Sequence, residues 1–288
     1  MSILLAFVVS GLGIGAVYAL SGVGLVVLYR ATGVINFAFG ALGALGAFVA
    51  WTLIEQGHAD ALAWLAAILV AAAGSYAYGR LIAPRLAFRD PVVRSVGTLG
   101  FALVLLGFIG WYWGEVPRRL NLPTDKTSIA LFGARLNMTR IIALALALAM
   151  VAAITVLLAR TRVGLYLRSL ADDRDLSAIL GIRVVQLEAF AWGISGVFAG
   201  ICGLLLANLV RLQGMQLTFL VVPAIAAAIL GQLRSLPATA VAGLAIGVTE
   251  ACLTAVPSVA PYRTAAPFVI ALVAVATMRA SLLSMDRR

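Results

Sequence analysis

Glu250 stands inside an apolar run of this 288-residue chain. A charge at such a place costs several kcal/mol unless it is paired, protonated or hydrated. It serves either a solute pathway or interface, or a structural hydrogen bond in its protonated form. Other polar side chains sit where apolar segments begin and end. Asn36 could touch a solute or cap a helix. Asn208, Gln213 and Gln216 could line a mouth or sit at the membrane interface. Nothing in the chain assembles a catalytic cluster of His, Asp, Glu, Cys or Ser. The single histidine, His58, has no second ligand nearby, so no metal site is expected. Cys202 and Cys252 lie in apolar segments and read as packing residues. No GxxxxGK[ST] phosphate loop is present, and the one lysine, Lys126, falls in a polar stretch. The chain is therefore not expected to hydrolyse ATP, to need a cofactor or to be an enzyme.

The composition says what must position these residues. The chain is 63% hydrophobic and 11% charged, against roughly half and a quarter in soluble domains. Lipid is the natural solvent for such a chain. The net charge of +10 does not imply nucleic acid, because the arginines are spread between apolar segments instead of forming one patch. Apolar runs predict about 8–9 transmembrane segments, near 3–28, 34–54, 61–83, 92–113, 139–159, 186–208, 217–231, 237–256 and 265–278. A helix crossing the hydrocarbon core needs about 20 residues. The seventh and ninth runs are short, so they are broken, re-entrant or partly buried. Pro223 kinks or breaks the seventh. The first run lacks a basic leader and reads as a retained span. The expected fold is an all-α polytopic bundle, a single transmembrane domain over 1–288.

An outside N-terminus and an inside C-terminus place 14 of the 21 basic residues on the inner side. These lie near residues 30, 80–94, 160–183, 234 and 279–288, as the positive-inside rule favours. The longest outer loop, 114–138, contains Pro117 and Pro123 and reads as a turn-rich cap. The inner stretch 160–185, RTRVGLYLRSLADDRDLSAILGIRVV, is too polar to span. Its apolar positions suit one or two short amphipathic helices, with Gly181 at an end. It is either a solvated loop or a docking element for a soluble partner, since apolar residues there need a cover. Glycines one turn apart (Gly11 and Gly15, Gly196 and Gly200, Gly243 and Gly247) allow close helix approach, within the chain or toward a second subunit.

These residues carry a resemblance that covers most of the chain, in order. The stretch from Arg168 through Ala171 to Gly181 and Ile182, with Leu176 near its middle, resembles the coupling loop of LivH-type permeases. These are subunits of branched-chain amino-acid ABC importers. YALSGVGLVVLYRATGVINFAFGALGALGAF is similar to that family's early signature through Tyr18, Gly24, Arg30, Asn36 and Gly40. AIAAAILGQLRSLPATAVAGLAIGVTE resembles its late glycine-rich segment through Gly231, Ser235, Pro237, Gly243, Gly247 and Glu250. Phe39 and Ala41 stand where the family often has His and an acidic residue. Gln232 and Ala238 replace two of its glycines.

The resemblance implies a permease subunit moving a small polar solute, an amino acid of branched-chain type or a related amide or urea-like compound. It implies two cytoplasmic ABC ATPases, a second permease subunit of LivM type, an extracytoplasmic binding protein, and a bacterial inner-membrane location. Candidate pathway residues are Asn36, Phe39, Asn208, Gln213 and Glu250. Candidate coupling residues are Arg168, Ala171, Leu176, Ile179, Leu180 and Gly181. The alternative is a secondary transporter or channel working without an ATPase. Inverted repeats and paired intramembrane charges would mark that class, and neither is evident.

Overall fold

A computed structural model describes residues 2–120, 128–131, 134–219 and 221–285. Twelve α-helices make up most of the described chain. They are α1 (Ser2–Thr32), α2 (Phe39–Glu55), α3 (Asp60–Ala77), α4 (Pro91–Trp113), α5 (Met138–Arg160) and α6 (Arg162–Asp172), followed by α7 (Arg174–Ile179), α8 (Val184–Leu209), α9 (Gly214–Phe219), α10 (Val221–Leu230), α11 (Leu236–Leu253) and α12 (Ala266–Met285). Six helical stretches among the described residues are long and apolar enough to cross a membrane. Their burial separates an inner from an outer layer. The apolar windows of α1 and α8 are 89% and 78% buried, and that of α4 only 17%. The exposed side chains of α4, among them Leu103, Val104 and Trp111, form an apolar outer surface of the kind lipid covers.

Small residues set the centre. A Cβ on Gly11 would lie 2.7 Å from the Val248 backbone, one on Gly243 2.4 Å from Ala19, and one on Gly247 2.3 Å from Gly15. Thus α1 and α11 cross antiparallel with backbones touching, the close approach that the glycine spacing predicts. Gly196 and Gly200 of α8 press in the same way on Ala71, Ala72 and Ile68 of α3, and Gly203 of α8 on Gly43 of α2. For these glycine pairs, packing within the chain is the outcome.

One expected boundary moves, and two other expectations gain detail. The second span begins at Phe39, not at residue 34. Gly33, at φ +67°, ends α1, and polar ties hold the link that follows. Asn36 Oδ1 accepts from the Ala38 N–H at 3.0 Å, and the Phe37 N–H donates to Thr98 Oγ1 at 2.9 Å. Local side-chain bonds of this kind compete with helix. The ninth segment is carried on a longer helix, α12, of 20 residues from Ala266, while its apolar part remains among the shorter apolar helices of the described residues, as expected. The stretch 114–138 also adds β-structure to an otherwise helical chain. Ser128–Leu131 (β1) pairs antiparallel with Ala134–Asn137 (β2), Ser128 opposite Asn137. Pro223 falls in the first turn of α10, where a missing N–H costs little. The break expected near it adjoins residue 220, outside the described residues.

Beyond α3 the chain makes a π-helical turn, Tyr78–Ile82, and a 3-10 turn, Ala83–Leu86. Gly79 makes room there for the Trp192 ring, which a Cβ would meet at 2.4 Å. The 160–185 stretch folds as two short helices, α6 and α7, ending at Gly181 with φ +83°. Thr161 Oγ1 caps α6 by accepting from the Gly164 N–H at 3.1 Å. Gly164 itself sits against the Leu158 carbonyl, where a Cβ would come within 2.3 Å.

Candidate functional site: an intramembrane cavity and an exposed helical end

One face of α1 carries Phe7, Ser10, Ile14 and Tyr18 at successive helical turns, and all four line a cavity of about 600 Å3. Glu250 enters it from α11. The buried Tyr18 hydroxyl donates to Glu250 Oε2 at 2.8 Å. The bond crosses the α1–α11 seam, so the glycine contacts that bring these helices together also place the acid. Arg140, two residues into α5, reaches the same cavity and donates through a guanidinium nitrogen to Ser10 Oγ. Arg263 and Thr264, on the 3-10 turn Ala260–Ala265 before α12, close another side with Pro267 and Phe268. Gln216 and Phe219 of α9 and Pro223 of α10 complete the wall. The cavity thus combines an apolar lining with one carboxylate and two guanidinium groups. Pockets of this size and make-up hold small molecules.

The second region is the end of the bundle formed by α6 and α7. Leu167 and Leu170 are buried, whereas Leu176, Ile179 and Leu180 are 52%, 81% and 71% exposed. Arg168, Ala171 and Gly181 are exposed as well. What fixes this surface is an ion pair. Arg174 Nε donates to Glu188 Oε1 at 2.8 Å, and a guanidinium nitrogen lies 3.5 Å from Oε2. Glu188 is buried in the first turns of α8, so α7 is tethered to a core helix while its apolar residues point away from the core. Asp173 Oδ1 accepts from the Leu176 N–H at 2.9 Å and orders the first turn of α7. A groove lined by Tyr166, Leu180, Ile182, Gln186 and Phe190 runs beside this surface.

The candidate pathway residues fall at different places. Glu250 lines the large cavity. Phe39 is buried against a narrow gap beside Ser21, Gly43 and Cys202. Asn36 is buried in the α1–α2 link, its Oδ1 bonded locally and its Nδ2 without a protein partner. Asn208 Nδ2 donates to the Leu120 carbonyl at 3.0 Å. Gln213 precedes α9, and it is Gln216 one turn on that reaches the cavity. Sequence reading missed Ser10, Arg140 and Arg263 as cavity residues. The turn-by-turn spacing of Phe7, Ser10, Ile14 and Tyr18 was the available signal. Arg140 and Arg263 read as outer-loop charges because each sits near the end of an apolar run.

Comparison with known proteins concerns the chain as a whole. Residues 7–278 match the family described as branched-chain amino acid transport system, permease component. The high-affinity branched-chain amino acid transport system permease protein LivH of Salmonella typhimurium is 25% identical over 269 residues, covering 85% of this chain and 84% of that one. BraD of Pseudomonas aeruginosa, with the same description, is 26% identical over 259 residues, 84% of each. The probable LivH of Methanocaldococcus jannaschii is 28% identical over 245 residues, 82% of this chain and 76% of that one. Among solved structures, a transporter described as of metal-chelate ABC type, in an inward-facing conformation, superposes over 97% of this chain and 86% of its own. Its TM-score is 0.50 at 15% identity, a likeness of fold.

Proposed function

This chain belongs to the family of branched-chain amino acid transport permease components, and from that premise we propose how its two regions divide the work of an ATP-driven importer. It is a multi-pass membrane permease subunit, not an enzyme, and its family works with ATPase subunits. The α6–α7 end is the surface on which a cytoplasmic ATPase docks, with Leu176, Ile179 and Leu180 as its apolar contacts and Arg168, Ala171 and Gly181 beside them. The cavity at Glu250 lies on the solute route, with Asn36, Phe39, Asn208 and Gln213 along its continuation. The solute is an amino acid of branched-chain type or a related amide or urea-like compound. Two ATPases, a second permease subunit of LivM type and an extracytoplasmic binding protein complete the assembly. It sits in the bacterial inner membrane, N-terminus outside and C-terminus inside.

The observation that carries this reading is the exposed apolar triad on a helix tethered to the core by Arg174–Glu188. Three large apolar residues on a fixed polar helix call for a cover, and the tether converts push on α7 into movement of α8. ATPase closure would in this way shift the helices that border the cavity. The test is mass spectrometry of what copurifies with the chain from its native membrane in mild detergent. A stoichiometric ATPase pair is expected, lost in the triple variant Leu176→Ser, Ile179→Ser, Leu180→Ser while the chain stays inserted. Transport by the purified chain with no ATPase in the complex would overturn the reading in favour of a secondary transporter.

A further inference from the structure

We infer that the groove between α6 and the start of α8 holds one anionic phospholipid of the inner leaflet, its phosphate at Arg183 and an acyl chain along the floor toward Phe190. The inference rests on the orientation proposed above, which puts the α6–α7 end on the inner side. It adds to the importer a partner drawn from the membrane itself.

The argument starts from α8. This helix is among the most buried of the spanning helices, and of its 26 residues only Gln186 and Phe190 are exposed. Both line the groove. They stand one turn apart on one face, so the helix leaves a single window in its protein cover. Across from that window α6 presents Val163 and Tyr166, and Leu180 and Ile182 on the way out of α7 close the upper end. The groove encloses about 430 Å3, a volume that takes a small ligand or a length of acyl chain. The helix leading into α6 is α5, which exposes Leu148 and Val156. The groove therefore opens beside the layer of the bundle that lipid covers.

Polarity runs one way along it. Arg183 and Gln186 stand at the mouth, and Leu187 and Phe190 lie further along α8. From Arg183 to Phe190 the helix rises about 10 Å. The headgroup layer on one side of a bilayer is on the order of 5–8 Å deep. With Arg183 at the level of the phosphates, Phe190 lies in hydrocarbon, and the exposed Tyr166 ring suits the boundary between them. A water-soluble ATPase can reach the mouth of such a groove but not its floor. Leu180, at the rim, belongs to both surfaces.

Charge selects the headgroup. No Asp or Glu is among the described residues that line the groove. Arg183 is exposed in it, and Arg162, also exposed, precedes Tyr166 by one turn on the same face of α6. Glu188, the acid nearest in sequence, is buried and engaged by Arg174. A guanidinium group matches a phosphate in shape and charge. Basic pockets between spanning helices on the cytoplasmic side meet a leaflet rich in anionic lipid. A zwitterionic headgroup brings an ammonium that the two arginines repel.

The experiment is native mass spectrometry of the full copurified complex, stripped of lipid by detergent washing and titrated with phosphatidylglycerol or phosphatidylcholine. The unmodified complex is expected to bind phosphatidylglycerol at least tenfold more tightly than phosphatidylcholine. Glycerol phosphate, which has a phosphate but no acyl chain, should not compete. The double variant Arg162→Gln, Arg183→Gln should weaken phosphatidylglycerol tenfold or more, while Arg183→Lys keeps most of the affinity. Val163→Trp, which fills the floor and leaves both arginines in place, should weaken it as much. Arg89→Gln, an exposed arginine outside the groove, should leave it unchanged. Equal binding of the two lipids, full competition by glycerol phosphate, or groove variants that bind as the parent does would overturn the inference. Loss of the ATPase from Val163→Trp with phosphatidylglycerol binding intact would also overturn it, and would make the ATPase the cover of this groove. If the unmodified chain brings no ATPase yet binds phosphatidylglycerol as expected, the importer reading falls and the lipid site stands.

Discussion

The α1–α11 seam and the α6–α7 end solve opposite problems with the same alphabet of small and apolar residues. At the seam, glycines at four-residue spacing let two backbones touch, and the large side chains around them are almost wholly buried. At the α6–α7 end, large apolar side chains face outward, and the helices are joined to the bundle by Leu167, Leu170 and one ion pair. In lipid, apolar surface alone does not bring helices together, so the seam needs shape. In water, apolar surface left open needs a partner. The seam is built to stay as it is, and the end is built to be grasped.

The comparison breaks most sharply at Gly247. A Cβ there would stand 2.3 Å from the Gly15 Cα and 3.0 Å from the Gly11 carbonyl oxygen, backbone atoms that cannot swing aside. Gly247→Leu should force α1 and α11 apart at a cost well above about 3 kcal/mol. The Tyr18–Glu250 bond would be lost with them. The expected outcome is loss of monodisperse protein on size-exclusion chromatography in mild detergent. A variant that stays monodisperse with normal thermal stability would show that the seam is looser than its geometry.

A smaller effect separates the tether from the surface it holds. Arg174→Ala leaves Glu188 buried at the start of α8 without its ion-pair partner, with only the more distant Arg94 guanidinium near it. Breaking such a pair costs more than the pair contributes, and partial exposure of the arginine side chain (33%) reduces the penalty. The expectation is a loss of about 1–3 kcal/mol, read as a lower unfolding midpoint, and weaker retention of the ATPase although Leu176, Ile179 and Leu180 are untouched. Full retention of the ATPase in Arg174→Ala would show that α7 is placed by its own packing and not by the tether.

What the sequence disclosed follows the same division. Long apolar runs and glycine spacing are local patterns, so the helices and the seam were legible, as were the two short helices at 160–185. The α1–α2 link was not, because Val34 and Ile35 look like span residues until Ser95 and Thr98, some sixty positions away, are seen to bond the backbone at Ile35 and Phe37. The cavity was half legible. Glu250 is conspicuous because an acid in an apolar run has no local excuse. Arg140 and Arg263 have one, since an arginine at a helix end snorkels by default. Only the fold brings them to the wall of the cavity that Glu250 lines. Glu188 escaped for the converse reason: its partner Arg174 lies in a stretch already rich in charge.

The smallest effect tests whether the turn joining α10 to α11, at the same end of the bundle as α6, is built like the seam or like the docking surface. Gln232 and Leu233 both adopt φ near +55°, a region that costs a side-chain-bearing residue about 1 kcal/mol and costs glycine little. Gly231 before them sits against Thr239, and the turn faces Arg30, Ala171 and Arg174 across an open cleft. Gln232 is exposed and Leu233 packs against the core. Gln232→Gly should therefore release strain at almost no loss of contact, stabilising by about 0.5–1 kcal/mol and raising the unfolding midpoint by on the order of 2 °C. Leu233→Gly releases a similar strain but forfeits buried apolar area, so its midpoint should stay level or fall. If Gln232→Gly stabilises as expected yet weakens ATPase-coupled transport, the strained glutamine belongs to the docking surface, held in a costly conformation for its side chain. If stability rises and transport is unchanged, the turn is a plain connection, and α6 and α7 carry the coupling without it.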